Sequence, residues 1–158
     1  MIIEVYHLKD PESYVYESVG LIEGFKSLRV IENFVKPNEF TLQIQMEDNL
    51  EMFRPDNVLK IEEVNYFIER QEIENGMMEI KGKSISGRLS HRIIPTNYNR
   101  SAKPDAVCVD LLNKYNNDPT IKNLLSSTFS SSSIRYQNSY GNLLEAIETL
   151  SETHQFGF

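Results

Sequence analysis

The sequence predicts an α+β fold in which a mostly antiparallel, β-barrel-like first part is followed by a helix-rich part. Apolar and polar residues alternate from Phe40 to Met46, which is the period of a strand with one buried face. Asn75-Gly76 separates two strand-like runs and favours a two-residue hairpin turn. In the later part of the chain, apolar residues recur at the spacing of an α-helix and do not alternate as they do in a strand. We therefore divide the chain into an antiparallel β region, residues 1–95, and a helix-rich region with short strands, residues 96–158.

The other strands of the first region are predicted where β-branched and aromatic residues cluster between turn signals. Asp48 is expected to cap a short helix through Leu50, Met52 and Phe53, which Pro55 ends. Strands are predicted over residues 1–8, 14–19, 25–34, 40–46, 58–61, 66–74 and 77–85.

The hairpin around Asn75-Gly76 has a register that follows from its turn. A two-residue loop places Ile73 opposite Met78 and Gln71 opposite Ile80. It also places Glu72 opposite Glu79, and like charges directly opposed are destabilising. Arg70 and Lys81 fall on the diagonals, where their positive charges can offset that repulsion.

The second region is predicted to contain two helices. Pro104 suits the first turn of a helix whose apolar side carries Val107, Leu111, Leu112 and Tyr115 and which residues 116–119 end. A final helix from residue 140 to residue 154 presents a core stripe of Leu143, Ile147 and Leu150, with Leu144 beside it.

Between these helices the patterns are weaker. Ile121, Leu124 and Leu125 indicate a short helix, and the serine-rich residues 126–133 indicate a poorly ordered loop. Residues 134–138 can form a strand. Phe156-Gly157-Phe158 is predicted to begin another strand, which continues either in a longer protein, of which this chain is a truncated part, or in a partner chain.

Composition limits the classes of function. The 158 residues can bury a core without disulfides, and the single cysteine, Cys108, lies in a helical apolar pattern that predicts a buried thiol. No apolar run approaches the roughly 18 residues that span a bilayer, and the first residues lack the layout of a signal peptide. A net charge of −7 disfavours general nucleic-acid binding.

Motifs for catalysis and cofactor binding are missing from the sequence. His7, His91 and His154 stand apart from any metal-binding pattern, and the glycines form neither a dinucleotide-binding nor a phosphate-binding loop. We predict no catalytic, cofactor-binding or metal-binding residues, no cofactor and no enzymatic activity. A weaker alternative is a hydrolase that uses a glutamate acid and base; its candidates are Glu62, Glu63, Glu69, Glu72, Glu74 and Glu79.

Charge is unevenly distributed along the chain. Residues 80–104 contain six basic residues and no acidic residue. This stretch is either a solvated basic loop or an edge that contacts an acidic face of a neighbouring subunit. Its members are Lys81, Lys83, Arg88, Arg92, Arg100 and Lys103.

Several segments together resemble the tail-hub, baseplate-type proteins of siphophages and prophages of Gram-positive bacteria. The likeness spans nearly the whole chain, and its order and spacing are more specific than any single motif. It is carried by residues 26–29, 38–44, 80–94 and 140–147 and by Phe156-Gly157-Phe158.

The resemblance implies a structural protein of the virion tail, present in the host cytoplasm before assembly. It implies a hub ring, commonly a trimer, that joins the tail tube to the tip, contacts other tail proteins and encloses a lumen through which DNA passes without sequence-specific binding. The competing interpretation is a host-surface or cell-wall carbohydrate-binding module of the same tail, with a groove lined by Tyr14, Tyr16 and Tyr98.

Overall fold

The computed structural model describes residues 1–10, 12–45, 50–121 and 132–157. Its contacts divide the chain into two compact units. Unit 1 comprises Met1–Asn33 and Pro37–Ile85, and unit 2 comprises Phe34–Lys36 and Ser86–Phe158. The main division thus follows Ile85, earlier than the predicted division after residue 95.

Unit 1 is built on a seven-stranded sheet, which confirms the prediction of a mostly antiparallel sheet in the first part of the chain. In the sheet the strands follow the order β2-β1-β5-β6-β7-β4-β3, and each neighbouring pair is antiparallel. The strands are β1 (Ile3–Asp10), β2 (Val15–Ile22), β3 (Ser27–Ile31), β4 (Glu39–Gln45), β5 (Val58–Ile61), β6 (Val64–Glu74) and β7 (Met77–Ser84).

The sheet is open, so the predicted barrel-like closure is wrong. With seven strands and only antiparallel pairings, β2 and β3 could close the sheet only as a parallel pair. Parallel neighbours need a crossover of about a dozen residues or more, whereas residues 23–26 alone connect β2 to β3. A cleft of about 700 Å³ lies beside that connection, lined in part by Ile22 and Ile44.

One face of the sheet forms the core of unit 1. The alternation predicted for β4 is confirmed, because Phe40, Leu42 and Ile44 are buried while their neighbours are not. Leu50–Phe53 forms a 3₁₀ helix that adds Phe53 to this core. Met46 and the predicted cap Asp48 lie outside the described residues.

Strand β3 is shorter and less buried than predicted. It covers only Ser27–Ile31 of the predicted residues 25–34. Leu28 packs against the core, but Val30 and Ile31 are exposed at the edge of the sheet. The apolar sequence therefore predicted the strand correctly, but it predicted more burial than the strand has.

The β6–β7 hairpin has the predicted register. Ile73 lies opposite Met78, Gln71 opposite Ile80 and Glu72 opposite Glu79. Asn75 and Gly76 have φ angles of 51° and 75°, the positive values that a tight hairpin turn requires.

Unit 2 combines two helices with a second, two-stranded sheet. After β7 the chain forms a 3₁₀ helix, Ile85–His91, so Ile85 does not continue the strand as predicted. The elements that follow are β8 (Tyr98–Ala102), α1 (Pro104–Tyr115), β9 (Ile134–Asn138) and α2 (Leu143–His154), with β8 paired antiparallel to β9.

Both predicted helices and the predicted strand at residues 134–138 are confirmed. Val107, Leu111 and Leu112 of α1 are buried, as are Leu143, Ile147 and Leu150 of α2. Strand β8 was missed, because its sequence is polar and irregular. Ile121 is buried in a turn, while Leu124, Leu125 and residues 126–131 lie outside the described residues.

The end of α2 differs from the predicted strand. Gln155 adopts a left-handed conformation, and the Phe156 N–H donates to the Ser151 carbonyl at 3.1 Å, which closes the helix. Phe156 is buried, and neither it nor Gly157 is in a strand. Phe158 lies outside the described residues.

Candidate functional site

The two edges of the seven-stranded sheet are the surfaces of unit 1 best suited to binding another chain. Within the described residues, β2 pairs only with β1 and β3 pairs only with β4. The outer side of an edge strand presents backbone N–H and C=O groups that can pair with a further strand. Each edge therefore offers a template for strand addition.

The β2 edge is long, apolar and flanked by acidic residues. Val15, Val19 and Leu21 are 48%, 44% and 53% exposed. Glu17 forms an exposed ion pair with Lys9 at 3.2 Å. Residues 10–23 contain no basic residue, and their acidic residues are Asp10, Glu12, Glu17 and Glu23.

The β3 edge has the opposite charge. Residues 24–31 contain Lys26 and Arg29 and no acidic residue. Both basic side chains are exposed, and neither forms an ion pair with a residue that the structure describes. Val30 and Ile31 add exposed apolar surface beside them.

The six basic residues predicted to form an edge at residues 80–104 are divided between the two units. Lys81 forms ion pairs with Glu79 and Glu72, and the Lys83 ammonium lies 3.0 Å from Glu69. These lysines are on β7, whereas Arg88, Arg92, Arg100 and Lys103 belong to unit 2. Charge adjacent in sequence is thus divided between the units and partly neutralised within each.

Within unit 2, Asp110 of α1 anchors a polar cluster to β8. The Tyr98 hydroxyl donates to an Asp110 carboxylate oxygen at 2.8 Å, and Arg100 forms an ion pair with the other oxygen. Burial, followed by the bond to Asp110, raises the pKa of Tyr98. Burial tends to raise the pKa of Asp110, but the bonds from Arg100 and Tyr98 outweigh it and lower that pKa overall. The cluster fixes β8 on the helix.

The buried position of Tyr98 contradicts the predicted aromatic groove. Tyr98 is 3% exposed and packs edge-to-face on Tyr115 and Tyr136, with ring centroids 6.3 and 6.1 Å away. Tyr14 and Tyr16 belong to unit 1. A stacking surface for a sugar ring therefore cannot include Tyr98.

The hairpin glutamates are arranged as partners of basic groups. A glutamate general acid needs a raised pKa, but hydrogen bonds from Lys81 and Gln43 lower the pKa of Glu79. The pKa of Asp10 is also lowered, chiefly by a hydrogen bond from Ser13. These carboxylates are stabilised in their charged form.

Other chemically reactive groups show no convergence in the part of the chain that the structure describes. Within those residues no three His, Cys, Asp or Glu side chains are grouped to hold a metal ion. Burial raises the pKa of the Cys108 thiol to about 12, which keeps it protonated at neutral pH. No helix among the described residues is long and apolar enough to cross a membrane.

The fold defined by these units, an open antiparallel sheet followed by an α+β unit, occurs in known proteins. No protein-family model matches the sequence, and no curated protein matches it significantly. Prophage tail protein gp18 from Listeria monocytogenes EGD-e aligns with 98% of the chain at a TM-score of 0.70 and 10% identity. The tail protein from Neisseria meningitidis MC58 aligns with 96% of the chain at a TM-score of 0.56 and 12% identity.

These likenesses show that the chain has the fold of the two tail proteins. They cover only part of each: the chain spans 46% of the Listeria protein and 44% of the Neisseria protein. The edge residues were missed in the sequence because they carry no catalytic motif. The signal that could have revealed them is the change from acidic to basic residues between residues 23 and 26.

Proposed function

We propose that this protein is a structural component of a phage or prophage tail, at the tip, where it forms or joins a hub ring between tail tube and tip. The observation that carries the proposal is the alignment of 98% of the chain with a prophage tail protein at a TM-score of 0.70. Because fold alone does not fix function, the features of the edges matter as well.

The edges support a role in assembly. A ring closes through heterologous interfaces, in which one patch meets a different patch on the neighbour. The chain has two different edges on one sheet, and each carries exposed apolar residues. Self-association into a ring, a trimer in the full-length protein, and contacts with other tail proteins follow from this proposal.

The charge of the chain suits a tube that conducts DNA. A net charge of −7 gives little attraction for phosphates. We propose that DNA passes through the assembled lumen without sequence-specific binding. Residence in the virion tail, after synthesis in the host cytoplasm, and a Gram-positive host belong to the same proposal.

We also propose that the protein is not an enzyme. Support comes from the hairpin carboxylates, which pair with lysines. The alternative role, binding a host-surface or cell-wall carbohydrate, needs an aromatic surface other than the predicted one, because Tyr98 is buried. Pull-down with purified cell walls tests that alternative, and retention displaced by soluble glycan would favour it.

The proposed function is tested by deleting the coding sequence in the strain that encodes it. Negative-stain electron microscopy of the resulting particles should show tails without a formed tip, or no tails. Expression of the intact protein in trans should restore them. Tails of normal length with normal tips in the deletion strain would contradict the proposal.

A further inference from the structure

The two edge strands of the sheet differ in charge in a way that selects their partner. Residues 10–23, which include β2, carry Asp10, Glu12, Glu17 and Glu23 without a basic residue. Residues 24–31, which include β3, carry Lys26 and Arg29 without an acidic residue. An acidic edge and a basic edge thus lie at opposite ends of one strand order.

We propose that β2 of one copy of this chain pairs with β3 of the next copy, so that copies join head to tail. The inference rests on the proposed role in ring assembly and identifies the strands that would form the interface between copies. The partner is a second copy, because one chain contains both of the complementary edges.

The topology of the sheet prevents β2 and β3 of one chain from pairing with each other. Closure would require β2 and β3 to pair in parallel across residues 23–26, and that connection is too short. Among the residues that the structure describes, the outer sides of β2 and β3 thus have no strand paired to them. Val15, Val19 and Leu21 on one edge and Ile31 on the other supply apolar surface that such pairing would cover.

Charge also decides between the possible pairings. Pairing β2 with β2 would bring two acidic edges together, and pairing β3 with β3 would bring two basic edges together. Like charges across an interface are costly and suppress wrong pairings. Pairing β2 with β3 brings unlike charges together and leaves a free edge at each end, which permits a closed ring.

The test is a charge exchange in the full chain, read by size-exclusion chromatography with light scattering. Lys26→Glu/Arg29→Glu makes both edges acidic, and Glu12→Lys/Glu17→Lys/Glu23→Lys makes both edges basic, because only Asp10 then remains acidic in residues 10–23. All five side chains are exposed, so far-ultraviolet circular dichroism should match the wild type. Glu62→Lys/Glu63→Lys, exposed and outside the two edges, is the control for added positive charge.

The wild type and the control should self-associate as concentration rises, less strongly in high salt, because salt screens exposed charges. Each edge variant alone should self-associate at least about tenfold more weakly, the equivalent of about 1.4 kcal/mol. An equimolar mixture of the two variants should recover association. A monomeric wild type, unchanged association of either variant alone, or a mixture that stays monomeric would overturn the proposal. A tail tip that is still lost on gene deletion would leave the proposed function standing.

Discussion

Glu72 and Glu79 lie directly opposite each other across the β6–β7 hairpin, and Lys81 forms ion pairs with both. Arg70 lies 3.4 Å from Glu72, so positive groups flank the opposed carboxylates. The hairpin tolerates the like-charge pair because its diagonal neighbours compensate it.

Replacing Lys81 with Met should therefore raise the pKa of Glu79 towards its ordinary value, because the Lys81 hydrogen bond is the main cause that lowers it. Carbon-detected NMR titration of the side-chain carboxyl measures this change. Lys83→Met is the matched control, since Lys83 pairs with Glu69 instead. Equal effects of the two variants on Glu79 would show that Lys81 has no special role.

The sign of the related pH effect follows from the same pKa. Because the pKa of Glu79 is lower in the folded state, its stabilisation is present above its ordinary value of 4.5 and is lost as the pH falls through the folded value. Urea unfolding of wild type and Lys81→Met between pH 3 and 7 should show curves that converge at the acidic end. Curves that diverge on acidification would contradict the assigned cause.

Gly82 is required by a close approach between β7 and β6. A Cβ at this position would lie 1.9 Å from the Phe67 carbonyl oxygen and 2.7 Å from the Phe40 ring. Gly82→Ala should reduce the free energy of unfolding by about 3 kcal/mol, the upper part of the usual range for overpacking. Gly24→Ala, which meets nothing within 4 Å, is the control. Denaturant unfolding with equal losses in both variants would refute the steric explanation.

Much of unit 1 could be predicted from the sequence, because its information is local. The alternation at Phe40, Leu42 and Ile44 fixes which face of β4 is buried, and Asn75-Gly76 fixes the register of a hairpin. Closure of the sheet is different, since it depends on whether strands remote in the sheet order can pair. An isolated glycine in a strand, as at Gly82, signals close backbone approach, but the neighbour it meets is visible only in the fold.

Asn142 connects the start of α2 to the preceding chain. Its side-chain oxygen accepts from the Leu144 and Glu145 N–H groups at 2.9 and 3.2 Å, and its amide donates to the Ser90 carbonyl at 2.6 Å. Asn142→Ala should lower the free energy of unfolding by about 1–2 kcal/mol. Asn142→Asp keeps the acceptor but loses the donor, so it should be less destabilised. The cap explanation fails if chemical denaturation ranks the two variants in the opposite order.

Tyr98→Phe removes a buried hydroxyl bonded to Asp110 and should cost about 1 kcal/mol at neutral pH. Because the folded pKa of Tyr98 is raised, its contribution is complete below its ordinary value of 10 and is lost as the pH rises above it. Above pH 10 the free energy of unfolding of Tyr98→Phe should thus fall less steeply with pH than that of the wild type. The two slopes should differ by up to about 1.4 kcal/mol per pH unit. Tyr140→Phe, in an exposed residue, should follow the wild type. If the stability of Tyr98→Phe falls with pH as steeply as that of the wild type, this assignment is refuted.

Some elements of unit 2, and the candidate site in unit 1, could not be predicted from the sequence. Strand β8 is polar, and its partner β9 is supplied by residues far along the chain. The burial of Tyr98 likewise depends on Tyr115 and Tyr136, which the sequence does not place beside it. The acidic and basic runs around β2 and β3 are visible in the sequence, but only the strand order shows that these strands lie at the two ends of the sheet.

Immunogold electron microscopy of particles from the encoding strain tests the central claim, a structural role at the tail tip, most directly. Antibodies against the chain, with the deletion strain as control, should label one end of the tail, distal to the capsid. Particles that carry no label, or label confined to capsids, would contradict the account.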